Sequence, residues 1–209
     1  MVSKEFRNNP LFLRNQYDSE SKYGFAKIRK QELNLSDVKL LACSDTKALE
    51  TEYYKTYGVH FFVDDFRFEG IYKKPEASLA RYSQYAFLLT PDFSLYAEMP
   101  QWRQIENVGK ARWIGAYWQE NGLIVIPTVS WSSPRSFEFC FKTIEKGSIV
   151  AIGMIGCRQS KRAFMLGYNE MLSQIEPSAI ICFGKPFDEM TGNIIVVDYI
   201  SSRSKKRGA

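Results

Sequence analysis

The chain has 209 residues, 45% hydrophobic and 24% charged, close to the globular average and long enough to bury a core without disulfides or structural metals. A formal charge of +5 tolerates a polyanionic partner without demanding one, while four scattered cysteines and a single histidine argue against a secreted disulfide framework and against a Cys/His zinc site. No apolar stretch reaches the roughly 18 residues of a spanning helix, and the amino terminus lacks an apolar signal core, so the expectation is a soluble protein of the reducing cytoplasm with no membrane partner.

Residues 1–35 are polar and irregular, broken by Asn8-Asn9-Pro10 and Asp18-Ser19-Glu20-Ser21, and read as an arm that wraps the domain, tied down by Phe6, Leu11, Phe12 and Leu13. Residues 36–200 form one α/β domain, followed by a basic tail, 201–209. Val38 to Ala42 is a short apolar run, after which Asp45 can cap a helical stretch through Tyr57 that ends at Gly58. Val59 to Val63 is a strand that meets Asp64-Asp65. Pro75 opens a helix through about Tyr85, Ala86 to Thr90 is the next strand, and Pro91-Asp92 stops it.

Pro100 opens a long helix with Trp102, Ile105, Val108, Trp113 and Tyr117 at recurring positions, closed by Asn121-Gly122. Strands follow at Leu123 to Ile126 and Ser148 to Ile155, then a helix from about Ser160 to Ile175, a strand from Ala179 to Phe183 and a last strand from Ile194 to Tyr199. Apolar strands alternating with helices indicate βαβ crossovers and a largely parallel sheet with helices on both faces. Its form is either an open doubly wound sheet or a partial (β/α) barrel.

Either architecture places ligands outside the carboxyl ends of the strands. The residues there are Asp64, Asp65, Arg67 and Glu69, then Asp92 and Ser94, then Ser130 and Trp131, then Arg158 and Lys185. Asp64, Asp65, Glu69 and Asp92 are hard oxygen donors of the kind Mg²⁺ or Mn²⁺ requires, and Asp64, Asp65 and Asp92 are the candidate catalytic carboxylates. Arg67, Arg158, Lys161, Arg162 and Lys185 are candidate phosphate contacts, three of them at the helix start that follows Gly153-Met154-Ile155-Gly156. Trp131 is a candidate stacking platform for a base. No zinc site is expected, and the glycine spacing matches neither a Walker loop nor a dinucleotide fingerprint, so no nucleotide cofactor motif is present. His60, between apolar neighbours, reads as a core histidine, and the cysteines read as structural.

The strings His60-Phe61-Phe62-Val63-Asp64-Asp65-Phe66-Arg67-Phe68-Glu69, Thr90-Pro91-Asp92-Phe93-Ser94-Leu95-Tyr96, Met99-Pro100, Arg112-Trp113-Ile114-Gly115-Ala116-Tyr117-Trp118 and Ile126-Pro127-Thr128-Val129-Ser130-Trp131 resemble a domain-of-unknown-function family. That family is carried by bacteria, their phages and mobile elements, and the likeness covers about residues 58 to 185. The resemblance implies genomic company and no transferable chemistry.

The leading expectation is a mobile-element or phage accessory protein acting on nucleic acid, in its most concrete form a divalent-metal-dependent nuclease. The alternative is a non-catalytic, phage-borne inhibitor that binds a host defence protein such as a CRISPR nuclease. A third is a small-molecule enzyme using the same strand-end pocket.

Overall fold

The computed structural model describes residues 3–199, so the basic tail lies outside the described residues. In chain order the helices are α1 (Ser3–Arg7), α2 (Pro10–Leu13), α3 (Glu52–Lys55), α4 (Gly70–Lys73), α5 (Pro75–Tyr82), α6 (Gln101–Glu120), α7 (Phe137–Cys140) and α8 (Lys161–Ile175). The strands are β1 (Leu40–Ala42), β2 (Gly58–His60), β3 (Phe87–Leu89), β4 (Val125–Ile126), β5 (Ile149–Gly153), β6 (Ala179–Phe183) and β7 (Ile194–Val197).

Every pairing between these strands is parallel, in the orders β1-β2-β3-β4 and β5-β6-β7. The two groups meet just past β4. Ala151 donates its N–H to the Pro127 carbonyl at 2.9 Å and accepts from Val129 at 2.8 Å, beside the parallel bridge Thr128↔Ala151. Neighbours therefore follow chain order from β1 to β7 without the reversal that defines a doubly wound sheet. Of the two architectures left open by the sequence, the order matches the partial (β/α) barrel, with β1 and β7 as its edges.

Alternation along the strands explains how both faces are buried. Leu41, Val59, Phe61, Leu88 and Val125 point outward onto Ile71, Tyr82, Ala111, Ile114 and Trp118 of α4, α5 and α6. Val150, Ile152, Ile180 and Cys182 point outward onto Phe164, Tyr168, Met171 and Ile175 of α8. The other set, Leu40, Phe87, Leu89, Ile126, Ile149, Ala151, Ala179, Ile181, Phe183 and Val197, forms one cluster with Phe62 from just beyond β2. The second cover that apolar strands demand thus comes from the opposite wall of the curled sheet and not from another helix layer. As in larger barrels, the interior is packed rather than open.

Two glycines show how closely that interior is packed. A Cβ at Gly58 would strike the Phe87 ring, and one at Gly153 would lie 2.8 Å from Phe62. Phe62 and Phe183 stack above them with centroids 5.0 Å apart, closing the interior at its carboxyl end.

Several elements differ from the sequence expectations in their limits. The helix expected from Asp45 to Tyr57 is a 3₁₀ turn at Cys43–Asp45 and a single α turn at α3, because Lys47 to Glu50 are held instead by Tyr85 and Gln84. The strand expected over Val59 to Val63 leaves the ladder after His60, and the strand over Leu123 to Ile126 joins it only at Val125. Within the arm, Phe25, Ala26 and Ile28 are buried, and Ile28 bridges Ile144. No helix among the described residues is long and apolar enough to cross a membrane.

Candidate functional site

The exits of β1 to β5 surround a cleft of about 910 Å³. Phe62 and Gly153 line it where the packed interior ends; Leu95, Trp131, Ile155 and Phe164 supply apolar walls. Among the described residues its charged lining consists of Asp45, Asp64, Asp92, Glu98 and Arg67, four acids against one cation.

Hydrogen bonds between neighbouring exits hold the cleft in shape. The Thr128 hydroxyl donates to the Thr90 carbonyl at 2.7 Å, and the Thr128 N–H donates to the Thr90 hydroxyl at 2.8 Å. The Ser132 hydroxyl donates to Gln104 Oε1 at 2.6 Å, while Asn107 of α6 donates to the Ser94 carbonyl at 2.8 Å. Each bond fixes one exit loop to a helix or to the next loop, so the lining is set before any ligand arrives.

Asp92 lies in the cleft lining, with only part of its surface open and little solvent behind it. Burial pushes its carboxyl from 3.8 up to about 7; a hydrogen bond from Ser130 opposes the shift and nearby Asp65 adds to it. A carboxyl poised near neutrality in a cleft is a candidate functional group, able to donate or accept a proton at physiological pH.

Asp65 is otherwise engaged. Both its carboxylate oxygens accept from the Ser94 N–H, at 3.2 and 3.1 Å, and Oδ1 accepts from the Ser94 hydroxyl at 2.8 Å. Asp64 is exposed at the rim and meets Arg67 at 3.9 Å, a loose pair. Glu69 is exposed and does not line the cleft. Among the described residues no three His, Cys, Asp or Glu side chains converge as a metal-binding group. The four expected ligands are thus divided: Asp64 and Asp92 share the cleft, Asp65 ties a loop, and Glu69 stands apart.

The expected phosphate contacts divide in the same way. Arg67 lines the cleft, whereas Arg158, Lys161, Arg162 and Lys185 do not. Arg158 donates to the Lys185 carbonyl at 2.9 Å and lies 5.2 Å from the Phe187 ring. Lys161 pairs with Glu189 at 2.6 Å and faces the same ring at 5.3 Å. Trp131 is half-buried against Phe141 and Phe164 and lies over Gly167, where any Cβ would strike its indole, so it serves as a wall with one face to the cleft.

His60 faces the interior, 2% exposed, with Nδ1 accepting from the Phe62 N–H at 3.2 Å and Nε2 without a partner. Burial depresses its pKa to about 3, so it is neutral. Burial pushes the Cys157 thiol up to about 11, with nearby Asp92 adding to the shift and Arg158 opposing it; it is no ready nucleophile.

Three contributors to this site escape sequence reasoning. Asp45 and Glu98 enter the cleft from loops whose shape has no sequence signature, and exposed Tyr96 borders it beside them. Their signal was position alone: Asp45 closely follows β1, and Tyr96 and Glu98 lie in the loop that joins β3 to α6.

Residues 17–200 match the family described as "Domain of unknown function (DUF4417)". The chain is similar to the Gene 1 protein of Mycobacterium phage L5, 45% identical over 130 residues that cover 61% of this chain and 57% of the relative. It is also similar to the Gene 1 protein of Mycobacterium phage D29, 42% identical over 130 residues, covering 61% and 48%. The chain spans about half the length of these curated relatives. No solved structure matches it.

Proposed function

The chain belongs to this phage-associated family of unknown function, and from that premise we propose that it is an accessory protein whose strand-end cleft binds a partner protein. The carrying observation is the charge of the lining among the described residues, four acids and one arginine, which opposes a bare phosphate chain and favours a cationic guest. Exposed apolar side chains at the same loops, Phe66, Tyr96 and Ile155, support the reading, because large apolar groups around a polar pocket mark contact surfaces. In the company of phages, a host defence protein is the class of partner to seek.

One observation favours a second reading. Asp64 and Asp92 line the same cleft as Arg67, and Mg²⁺ or Mn²⁺ commonly takes one or two carboxylates and completes its shell with water and substrate phosphate. In that reading the two aspartates would hold the ion and Arg67 a phosphate of the nucleic acid. The ion would neutralise the acids that otherwise repel the substrate.

The two readings separate on incubation with labelled single- and double-stranded DNA and RNA, with Mg²⁺, Mn²⁺ or EDTA, beside the Asp64→Ala/Asp92→Ala variant. The partner-binding reading expects intact nucleic acid in every lane. Metal-dependent cleavage that the variant lacks would replace it with the nuclease reading.

A further inference from the structure

The chemistry of the cleft also bears on what the partner presents. Asp45 and Glu98 have no ion-pair partner among the described residues, and the ion pair of the Asp64 carboxylate with Arg67 spans 3.9 Å. These three acids sit on the β1, β2 and β3 exit loops, so they approach the cleft from separate directions. Their shared field survives even with Asp92 protonated. Asp64 and Glu98 are exposed, so this field acts at the mouth of the cleft, where it draws in a cation and is screened by salt.

The rim adds a second preference. Tyr96 is 59% exposed and Ile155 58%, both in the cleft lining on different exit loops, while Phe66, 72% exposed, lies on the β2 exit loop outside the lining. Trp131 turns one face to the interior of the cleft. A guest with a charged head and apolar shoulders satisfies both layers, with its head among the carboxylates and its shoulders on the rim. Of the candidate phosphate contacts, Arg67 lines the cleft beside Asp64, whereas Lys161 is paired with Glu189 and Arg158 is turned to the Lys185 carbonyl, both outside it.

Resting on the partner-binding reading of this cleft, we propose that it captures a polypeptide segment that inserts an arginine or lysine side chain flanked by apolar residues. Arginine is the better guest. Its planar guanidinium can meet a carboxylate through two parallel hydrogen bonds and lie against an aromatic face, whereas lysine offers a compact charge. Tyr96 and Trp131 supply such faces.

The experiment measures binding of the full chain to a short synthetic peptide with one arginine between two leucines. Beside it are the same peptide with citrulline in place of arginine, and a single-stranded oligonucleotide, each with and without Mg²⁺. Citrulline keeps the shape of arginine and removes its charge. The arginine peptide is expected to bind roughly tenfold or more tightly than the citrulline peptide. That advantage is expected to vanish in Asp45→Asn/Asp64→Asn/Glu98→Gln and to shrink with salt. Ile155→Ala should weaken both peptides alike, and a circular dichroism spectrum checks that each variant is folded. Equal binding of the two peptides, weakened in the Ile155→Ala variant, would overturn the cationic guest and leave the partner-binding cleft standing. An oligonucleotide that binds with Mg²⁺ and displaces the peptides would overturn both, as would failure of either peptide to bind at millimolar concentration.

Discussion

Asp65 reaches across 29 residues of sequence to hold Ser94 by its backbone N–H and its hydroxyl, at 2.8 to 3.2 Å, and so joins the exit of β2 to the exit of β3. Ser94 in turn offers its carbonyl to Asn107 of α6. The carboxylate that follows the second strand therefore shapes the cleft without being spent on a ligand. Asp65→Ala is expected to lower stability by about 1–3 kcal/mol, the usual loss of hydrogen bonds to a charged group. Amide exchange should rise across Phe93 to Glu98 and stay unchanged in α8, and a uniform rise would show that the tether does more than hold this loop.

Asp92 gives the site a pH signature. Its folded pKa of about 7 exceeds the ordinary 3.8, so the folded protein binds the proton more tightly than the unfolded chain. The stability this contributes is complete below about pH 4 and is lost as pH rises through about 7. Asp92→Asn mimics the protonated carboxyl. Its stability should match the wild type near pH 4 and exceed it at pH 8, read from urea unfolding at both values.

His60 works in the opposite sense. Its folded pKa is depressed from 6.5 to about 3, so its contribution is present above about pH 6.5 and is lost as pH falls toward 3. His60→Gln should be less stable than the wild type at pH 7.5, through lost packing against Phe62 and Phe183. That deficit should narrow steadily on acidification, as followed by thermal unfolding between pH 7.5 and 4.5.

Gly167 controls the Trp131 wall. A methyl there must displace the indole, so Gly167→Ala is expected to cost about 1–3 kcal/mol as an overpacked contact, even though alanine favours the helix. The same variant should weaken any guest of the cleft, measured by titration, because Trp131 is part of its lining.

Much of this site was legible because strand exits are marked by local chemistry. Apolar runs that stop at Asp64-Asp65, Pro91-Asp92 and Pro127 announce where parallel strands end, and parallel strands carry their ligands at that end. Asp64, Asp92, Arg67 and Trp131 accordingly line one cleft. What the sequence withheld depends on tertiary direction. Glu69 lies only two residues beyond Arg67, yet the turn into α4 carries it away, and nothing in its neighbours signals that turn. Lys161 opens α8 as expected, but it faces Glu189 from a segment 28 residues away. Strand order was equally hidden: periodicity fixes which face of a strand is apolar, not which strand lies beside it.

The most direct test of the central claim is site-specific photocrosslinking in a bacterial lysate, with a photoreactive phenylalanine analogue in place of Tyr96 at the cleft rim. The same analogue in place of Lys146, in the loop that enters β5 at the opposite end of the barrel, is the control. The account expects a discrete protein adduct from position 96, lost when Asp45, Asp64 and Glu98 are made neutral, and none from position 146. An adduct that forms equally at both positions, or one that nuclease treatment removes, would contradict it.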